Sequence, residues 1–221
     1  MPSFDLKFTG ASFVMATRPV LTWLVLIVGE ALLASVAIGA FWFQEWQYAL
    51  PTPRPAALQQ PVVGDVIHLA ELQPTTKPIW LHFFNPACPC SRFNIDHVRD
   101  LIARFGDQVQ IVAVLEADDD SLAQFKQLNL KCAAFVDHHG EFARRTGVYS
   151  TPQGVVLDEH CQLVYRGNYN LGRYCTSAET EFVRRALENC LAHRPPLTFP
   201  AAATVAIGCE LPVNRVEVSE R

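Results

Sequence analysis

At 221 residues the chain is long enough for one ordinary domain of about 100–200 residues with extra segments, and it has no need of a disulfide-stapled scaffold. Half of its residues are apolar and its formal net charge at pH 7 is −4, so no basic field exists to draw phosphates, and nucleic acid is set aside as a partner. Seven cysteines are too sparse for a disulfide framework, and an odd number leaves at least one thiol outside any pair within the chain.

Residues 1–19 carry Lys7 and Arg18 ahead of an apolar stretch, 20–43, which at roughly 1.5 Å per residue spans the roughly 30 Å of a bilayer's hydrocarbon. Its one charge, Glu30, costs roughly 2.5–3.5 kcal/mol on insertion scales, less than the summed gain from the Leu, Ile, Val and Phe residues around it. The segment reads as a transmembrane anchor. Only Arg54 follows it closely, and this bias of basic residues places 1–19 in the cytoplasm, Trp42 and Trp46 at the outer interface, and the remainder outside. A cleaved signal peptide is the competing reading, because Ser35-Val36-Ala37 has the small-x-small form of a cleavage site; against it, apolar residues continue to Phe43. Either way the remainder lies in an oxidising compartment, where disulfides persist.

Pro51, Pro53, Pro55 and Pro61 then punctuate 44–61, which lacks an apolar period and reads as an extended spacer. The folded domain is expected over 62–192. Ile79 to Phe84 is an apolar run of strand length, and a helix is expected from about Ser91 to Phe105, with Phe93, His97, Val98, Leu101, Ile102 and Phe105 on one face. Val109 to Leu115 is the next strand, Ser121 to Leu128 a helix, and Ala133 to Val136 a strand. Gly154 to Leu157 and Leu163 to Tyr165 pair across the turn at 158–161. A last helix, capped by Thr176 with Glu179 three residues on, runs to about Ala192. Strand–helix alternation followed by a hairpin and a helix argues an α/β sandwich, a central mixed sheet flanked by helices. Residues 193–221 form a tail with a Gly208-Cys209 element.

Phe83-Phe84-Asn85-Pro86-Ala87-Cys88-Pro89-Cys90 follows the first strand, and Gly147-Val148-Tyr149-Ser150-Thr151-Pro152 comes later in the chain. Together they resemble the thioredoxin-like superfamily over 62–192, and within it the membrane-tethered thiol–disulfide reductases and redoxins of the bacterial envelope. The tail element, Gly208-Cys209-Glu210-Leu211-Pro212, also resembles that of peroxiredoxin-like bacterial proteins. The resemblance implies a single-pass protein of the bacterial inner membrane with its domain in the periplasm. Its substrates would be protein thiols or disulfides, and its redox partner would lie in the membrane or envelope. It further implies that Pro152 is cis and lies against the reactive sulfur, and that Thr151 offers backbone groups to an extended substrate. A physical reading stands beside this. A cysteine at a strand-to-helix junction faces the positive end of the helix dipole, so the Cys88 thiolate is stabilised, and Pro89 fits the first helical turn.

The sequence departs from the family at the second cysteine. Ser91 stands where the resolving cysteine belongs, and Cys90 falls one residue early. A Cys88–Cys90 disulfide would close a small strained ring and be easily reduced, which suits an oxidant or isomerase better than a strong reductant. Cys209 is the candidate resolving thiol. The stretch from Ala192 to Cys209, at roughly 3.3 Å per extended residue, outreaches the ~26 Å diameter of a 100-residue domain. A tail cysteine that only packs, or that pairs with Cys175, is the alternative. Cys88, Cys90, Thr151, Pro152 and Cys209 are thus the candidate catalytic residues.

Two other chemistries stay open. Closely spaced thiolates are soft donors, so a Cu(I) carrier is one, with His82, His97, His138 and His139 as further ligands. A peroxidase is the other, although Asn85 stands where that family's peroxide-binding threonine belongs. Cys190 is expected in the core of the last helix, Cys132 at the start of a strand and Cys161 in the hairpin turn. The aromatic stretch from Tyr169 to Cys175 either packs beside the active-site edge or caps the domain. No nucleotide or flavin fingerprint is present, so no cofactor is expected and the thiols would carry the chemistry.

Overall fold

The computed structural model describes residues 17–69, 71–72, 75–115, 119–172 and 177–211. The chain divides into two units, 1–47 and 48–221. In the first, α1 (Thr17–Phe41) runs into a π-helical turn (Trp42–Trp46), and helix α2 (Gln47–Ala49) begins at that unit's last residue. The helix is apolar all round. Leu24, Val25, Leu32 and Phe43 are all exposed, and over Pro19–Ala49 it is long and apolar enough to cross a membrane. That is compatible with a single-pass anchor. The helix ends later than the apolar run suggested, so the first residues of the expected spacer, 44–49, are helical.

The second unit is built on β1 (Ile79–Phe84), whose six residues are all buried. Alternation sends Trp80, His82 and Phe84 to one face and Ile79, Leu81 and Phe83 to the other. The continuous apolar run therefore marks a strand covered on both sides. Helices α3 (Pro89–Phe93) and α4 (Ile95–Phe105) follow, then β2 (Gln110–Leu115), α5 (Asp119–Gln127), β3 (Ala133–Val136) and α6 (Glu141–Thr146). After these come β4 (Ser150–Thr151), β5 (Gln153–Leu157), β6 (Leu163–Gly167) and a 3-10 turn at Ala178–Thr180. α7 (Phe182–Leu191), α8 (Ala201–Thr204) and β7 (Cys209–Glu210) are the last described elements.

The main sheet has the order β3-β2-β1-β5-β6, parallel from β1 to β3 and antiparallel from β1 to β6. One face packs Trp80 and Phe84 against Val98, Leu101 and Phe105 of α4 and Phe182 of α7. The other packs Leu81 and Phe83 against Phe142 of α6, with Ile67 and Leu211. Each such large side chain, fully buried, contributes roughly 1.5–3 kcal/mol. This is the thioredoxin-like α/β sandwich, with helices on both faces of a mixed sheet.

Several local expectations differ from the structure. The helix expected over 91–105 breaks at Asn94 (φ −87°, ψ −5°), and Phe93 leaves the apolar face to stand 52% exposed. α7 starts at Phe182, behind a separate 3-10 turn, while Thr176 and the Arg173–Cys175 stretch lie outside the described residues. Nor does 51–61 stand away from the domain as an extended spacer. Thr52 is buried and donates its N–H to the Ala206 carbonyl (2.8 Å), and Gln60 Nε2 donates to the Gly147 carbonyl (2.7 Å). The polar groups of this segment find partners on the folded unit.

Candidate active site

At the end of β1 the chain turns sharply. Asn85 Oδ1 accepts the Ala87 N–H (2.8 Å), and the Asn85 carbonyl accepts the Cys88 N–H (3.0 Å). This turn sets Cys88 at the N-cap of α3 with extended backbone (φ −80°, ψ 121°) and Pro89 in the first turn. Ser91, in the position where a thioredoxin keeps its second cysteine, is fully buried, and its Oγ accepts the Asn85 N–H (3.3 Å). It braces the turn. Asn85 does likewise, its side-chain oxygen held by the Ala87 N–H.

Cys88 is disulfide-bonded to Cys209, 121 residues away, with the two Cα atoms 6.1 Å apart. The Cys88 sulfur lies 3.6 Å from the Thr151 carbonyl oxygen; in the disulfide it has no proton to donate, and in the thiol it would. The Thr151–Pro152 peptide bond is cis. Cys90 is buried and not disulfide-bonded, and the sulfurs of Cys88, Cys90 and Cys209 all lie within 4.8 Å of one another. Among the described residues no histidine joins this group. His82, His97, His138 and His139 are not part of it.

Cys209 reaches this point on a strand. β7 pairs antiparallel with β4, Thr151 opposite Cys209 and Ser150 opposite Glu210. Two hydroxyls hold the strand's carbonyls: Ser150 Oγ donates to the Cys209 oxygen (3.1 Å) and Thr52 Oγ1 to the Gly208 oxygen (3.2 Å). The Leu211 N–H donates to the Tyr149 carbonyl (3.2 Å), and its side chain is completely buried. Gly208 has φ +147°, and a Cβ there would collide with the Thr151 carbonyl. Only glycine allows this approach. On the other side, α6 ends at Gly147 (φ +73°) and hands the chain to β4.

Next to the thiols is a buried polar cluster. The Tyr169 hydroxyl accepts from Trp80 Nε1 (3.2 Å) and meets His82 Nδ1 at 2.6 Å. One of these two groups donates to the other, and the second ring nitrogen of neutral His82 is Nε2. That nitrogen is buried without a partner among the described residues. Burial lowers the His82 pKa to about 3 and raises that of Tyr169, so both are neutral at ordinary pH. His97, edge-on to Tyr169 at 6.0 Å between ring centroids, is also lowered by burial, against the opposing fields of Glu181 and Asp100. Tyr169, Cys90, Asn94, Pro152, Tyr48 and Ile207 line a small cleft. Of the remaining cysteines, burial pushes Cys132 and Cys190 up to about 11, which makes them inert thiols at neutral pH. Cys175 lies outside the described residues.

Sequence reasoning brought Cys88, Cys90, Thr151, Pro152 and Cys209 forward, and the fold gathers all five. It missed Thr52, assigned to the spacer, and Ser150, whose hydroxyl beside a Thr-Pro pair was the available signal.

Among solved structures, a hypothetical protein from Sinorhizobium meliloti is 17% identical, with a TM-score of 0.58 over 70% of this chain and 96% of that one. An uncharacterized conserved protein from Geobacillus kaustophilus is 19% identical, with a TM-score of 0.56 over 73% and 94%. A secreted Mycobacterium tuberculosis disulfide oxidoreductase homologous to DsbE of Escherichia coli is 20% identical, with a TM-score of 0.40 over 54% and 84%. No curated protein matches the sequence. Residues 59–210 match the family described as a domain of unknown function, DUF6436, and the chain belongs to that family.

Proposed function

We propose that this chain is a thiol–disulfide oxidoreductase of the bacterial envelope, held at the inner membrane by α1 and working through Cys88 and Cys209. The observation that carries the reading is the disulfide between the cysteine capping α3 and the cysteine of the tail strand, beside a cis proline. At the N-cap of α3, Cys88 lies at the positive end of the helix dipole, which favours its thiolate as attacker and as leaving group.

In the reducing direction, the Cys88 thiolate attacks a substrate disulfide. A Cys88–substrate bond forms, and the other substrate sulfur leaves as a thiolate and takes a proton. Cys209, deprotonated, then attacks the Cys88 sulfur, which re-forms Cys88–Cys209 and releases the second substrate thiolate. Two protein thiols become a disulfide while one substrate disulfide becomes two thiols. The reverse sequence oxidises a substrate dithiol. Cys90, within 4.8 Å of both sulfurs, is a second attacker on a mixed disulfide at Cys88. Thr151 and Pro152 form the edge against which the substrate lies. Protein thiols and disulfides are the substrates, and an envelope redox partner resets the pair.

Turnover of a dithiol peptide in a glutathione redox buffer tests this with the full chain. Cys88→Ser should fall to the uncatalysed rate. Cys209→Ser should keep the first step and accumulate a mixed disulfide on Cys88, and Cys90→Ser should slow turnover without abolishing it. Unchanged turnover in Cys209→Ser rejects the pair. The envelope location rests on the single apolar helix and the basic residues before it, and on the persistence of disulfides outside the cytoplasm. Alkaline phosphatase fused at Pro61 should be active; inactive fusions there would remove the location.

A second reading has one observation in its favour. Once reduced, Cys88, Cys90 and Cys209 present three soft donors within 4.8 Å of one another, which suits Cu(I). Copper retained stoichiometrically by reduced, untagged protein and lost in Cys90→Ser would favour it.

A further inference from the structure

We propose that β7 occupies a peptide-binding site as a tethered stand-in, and that the site's outside ligand is an extended segment of a partner protein with the pattern Gly-Cys-x-Leu. The inference rests on the thiol–disulfide reading above and adds the class of segment that reaches Cys88. The tail shows what the site accepts, because three of its four residues there are each held by a different feature.

Among the described residues β4 pairs with β7 alone, so lifting the tail would leave the backbone groups of Ser150 and Thr151 as an open edge. Thr52 and Ser150 hold the strand by its carbonyls, which any sequence offers. Selectivity comes from three positions. The residue before the cysteine must be glycine, since a Cβ there meets the Thr151 carbonyl and the backbone sits at φ +147°. The cysteine itself faces the Cys88 sulfur. Two residues on, a side chain on the same side of the strand enters the apolar cluster that includes Phe83, where Leu211 is wholly buried.

Exchange needs only a short segment to move. Upstream, the tail is fixed independently of β4: Pro51 bridges Ile207, Thr52 N–H donates to Ala206, and Asn168 Nδ2 donates to the carbonyls of Ala202 (3.0 Å) and Val205 (2.7 Å). Gly208, whose carbonyl Thr52 holds, is then the first residue beyond these anchors. In the oxidised protein, an incoming thiolate attacks the Cys88 sulfur. A Cys88–partner disulfide forms, the Cys88–Cys209 bond breaks, and Cys209 leaves as a thiolate and takes the proton that the partner thiol gave up. The partner's Gly-Cys-x-Leu strand replaces 208–211 on β4.

The test uses full-chain Cys209→Ser protein, reduced, and the hexapeptide Ala-Ile-Gly-Cys-Glu-Leu with its cysteine activated as a thionitrobenzoate disulfide. The rate of label arriving at Cys88 is read by peptide mapping after acid quench. The hexapeptide should react about tenfold or more faster than its Ala-for-Gly analogue, the usual penalty of forcing one more carbon into a filled site. Adding Gly208→Ala to the protein should speed the hexapeptide further, because its competitor no longer fits. Equal rates for the two peptides overturn the inference, as does a slower reaction in the Gly208→Ala protein when it folds with unchanged circular dichroism. If Cys88 reacts with glutathione disulfide but does not discriminate between the peptides, only this inference fails. If it reacts with no disulfide at all, the oxidoreductase reading fails as well.

Discussion

β1 lies with all six side chains buried between two helical layers, whereas β4 offers two residues and, among the described residues, pairs with β7 alone. The main sheet is held by area. Trp80, Phe84, Leu81 and Phe83 fill both of its faces. The small sheet is held by particulars: two hydroxyl-to-carbonyl bonds, one glycine, one buried leucine and one disulfide. Area gives a rigid frame that fixes Cys88 at the end of β1. Particulars give an element that reduction of a single bond can loosen. A thiol exchanger needs both, since the attacking sulfur must stay placed while its partner comes and goes.

The sharpest way to break this contrast is to attack the frame. Phe84→Ala, at a wholly buried site, should cost about 3–5 kcal/mol of stability in urea unfolding of the full chain. A cost near zero would mean that the large sheet is not the frame. Reduction of Cys88–Cys209 should cost less, about 2–4 kcal/mol, mainly by releasing a long loop in the unfolded chain. The folded far-UV circular dichroism should stay unchanged, because no residue of the main sheet depends on that bond. Loss of the folded signal on reduction would show that the small sheet supports the large one.

The smallest expected effect comes from the polar group inside the frame. His82 titrates at about 3 in the fold and near 6.5 when unfolded, so below pH 6.5 the unfolded chain binds a proton that the fold refuses. Its contribution is complete above pH 6.5 and is lost as pH falls toward 3. At about 1.4 kcal/mol per pH unit, the loss between pH 6.5 and 5 is about 2 kcal/mol from this residue. Burial lowers His97 too, which adds in the same direction. His82→Phe should flatten the slope of stability against pH over that range, and an unchanged slope would contradict the neutral, buried His82.

The same contrast decides what the sequence could tell. Ile79 to Phe84 was legible because a strand covered on both faces needs an unbroken apolar run, and α4 because Val98, Leu101, Ile102 and Phe105 keep helical spacing. Phe93 was misplaced because one residue, Asn94, resets the helix phase. β4 and β7 have no pattern to read: two residues cannot show alternation, and Ser-Thr facing Cys-Glu becomes a sheet only through contacts far apart in the chain. α6 was missed for a related reason. Its start is set by the buried Asp137, whose carboxylate accepts the N–H groups of Glu141 (2.9 Å) and Ala143 (3.0 Å) behind a His-His-Gly turn. At the site, the thiols were legible by residue type and Cys209 by reach. Thr52 and the His82–Tyr169 contact were not, since each depends on a fold that closes long stretches of chain.

The most direct test of the central claim is non-reducing peptide mapping of the air-oxidised full-length protein, with free thiols blocked before digestion. A Cys88–Cys209 cross-linked peptide should dominate, with Cys90, Cys132 and Cys190 recovered in the blocked form. A Cys88–Cys90 disulfide, or Cys209 joined to Cys175 while Cys88 is recovered blocked, would contradict it.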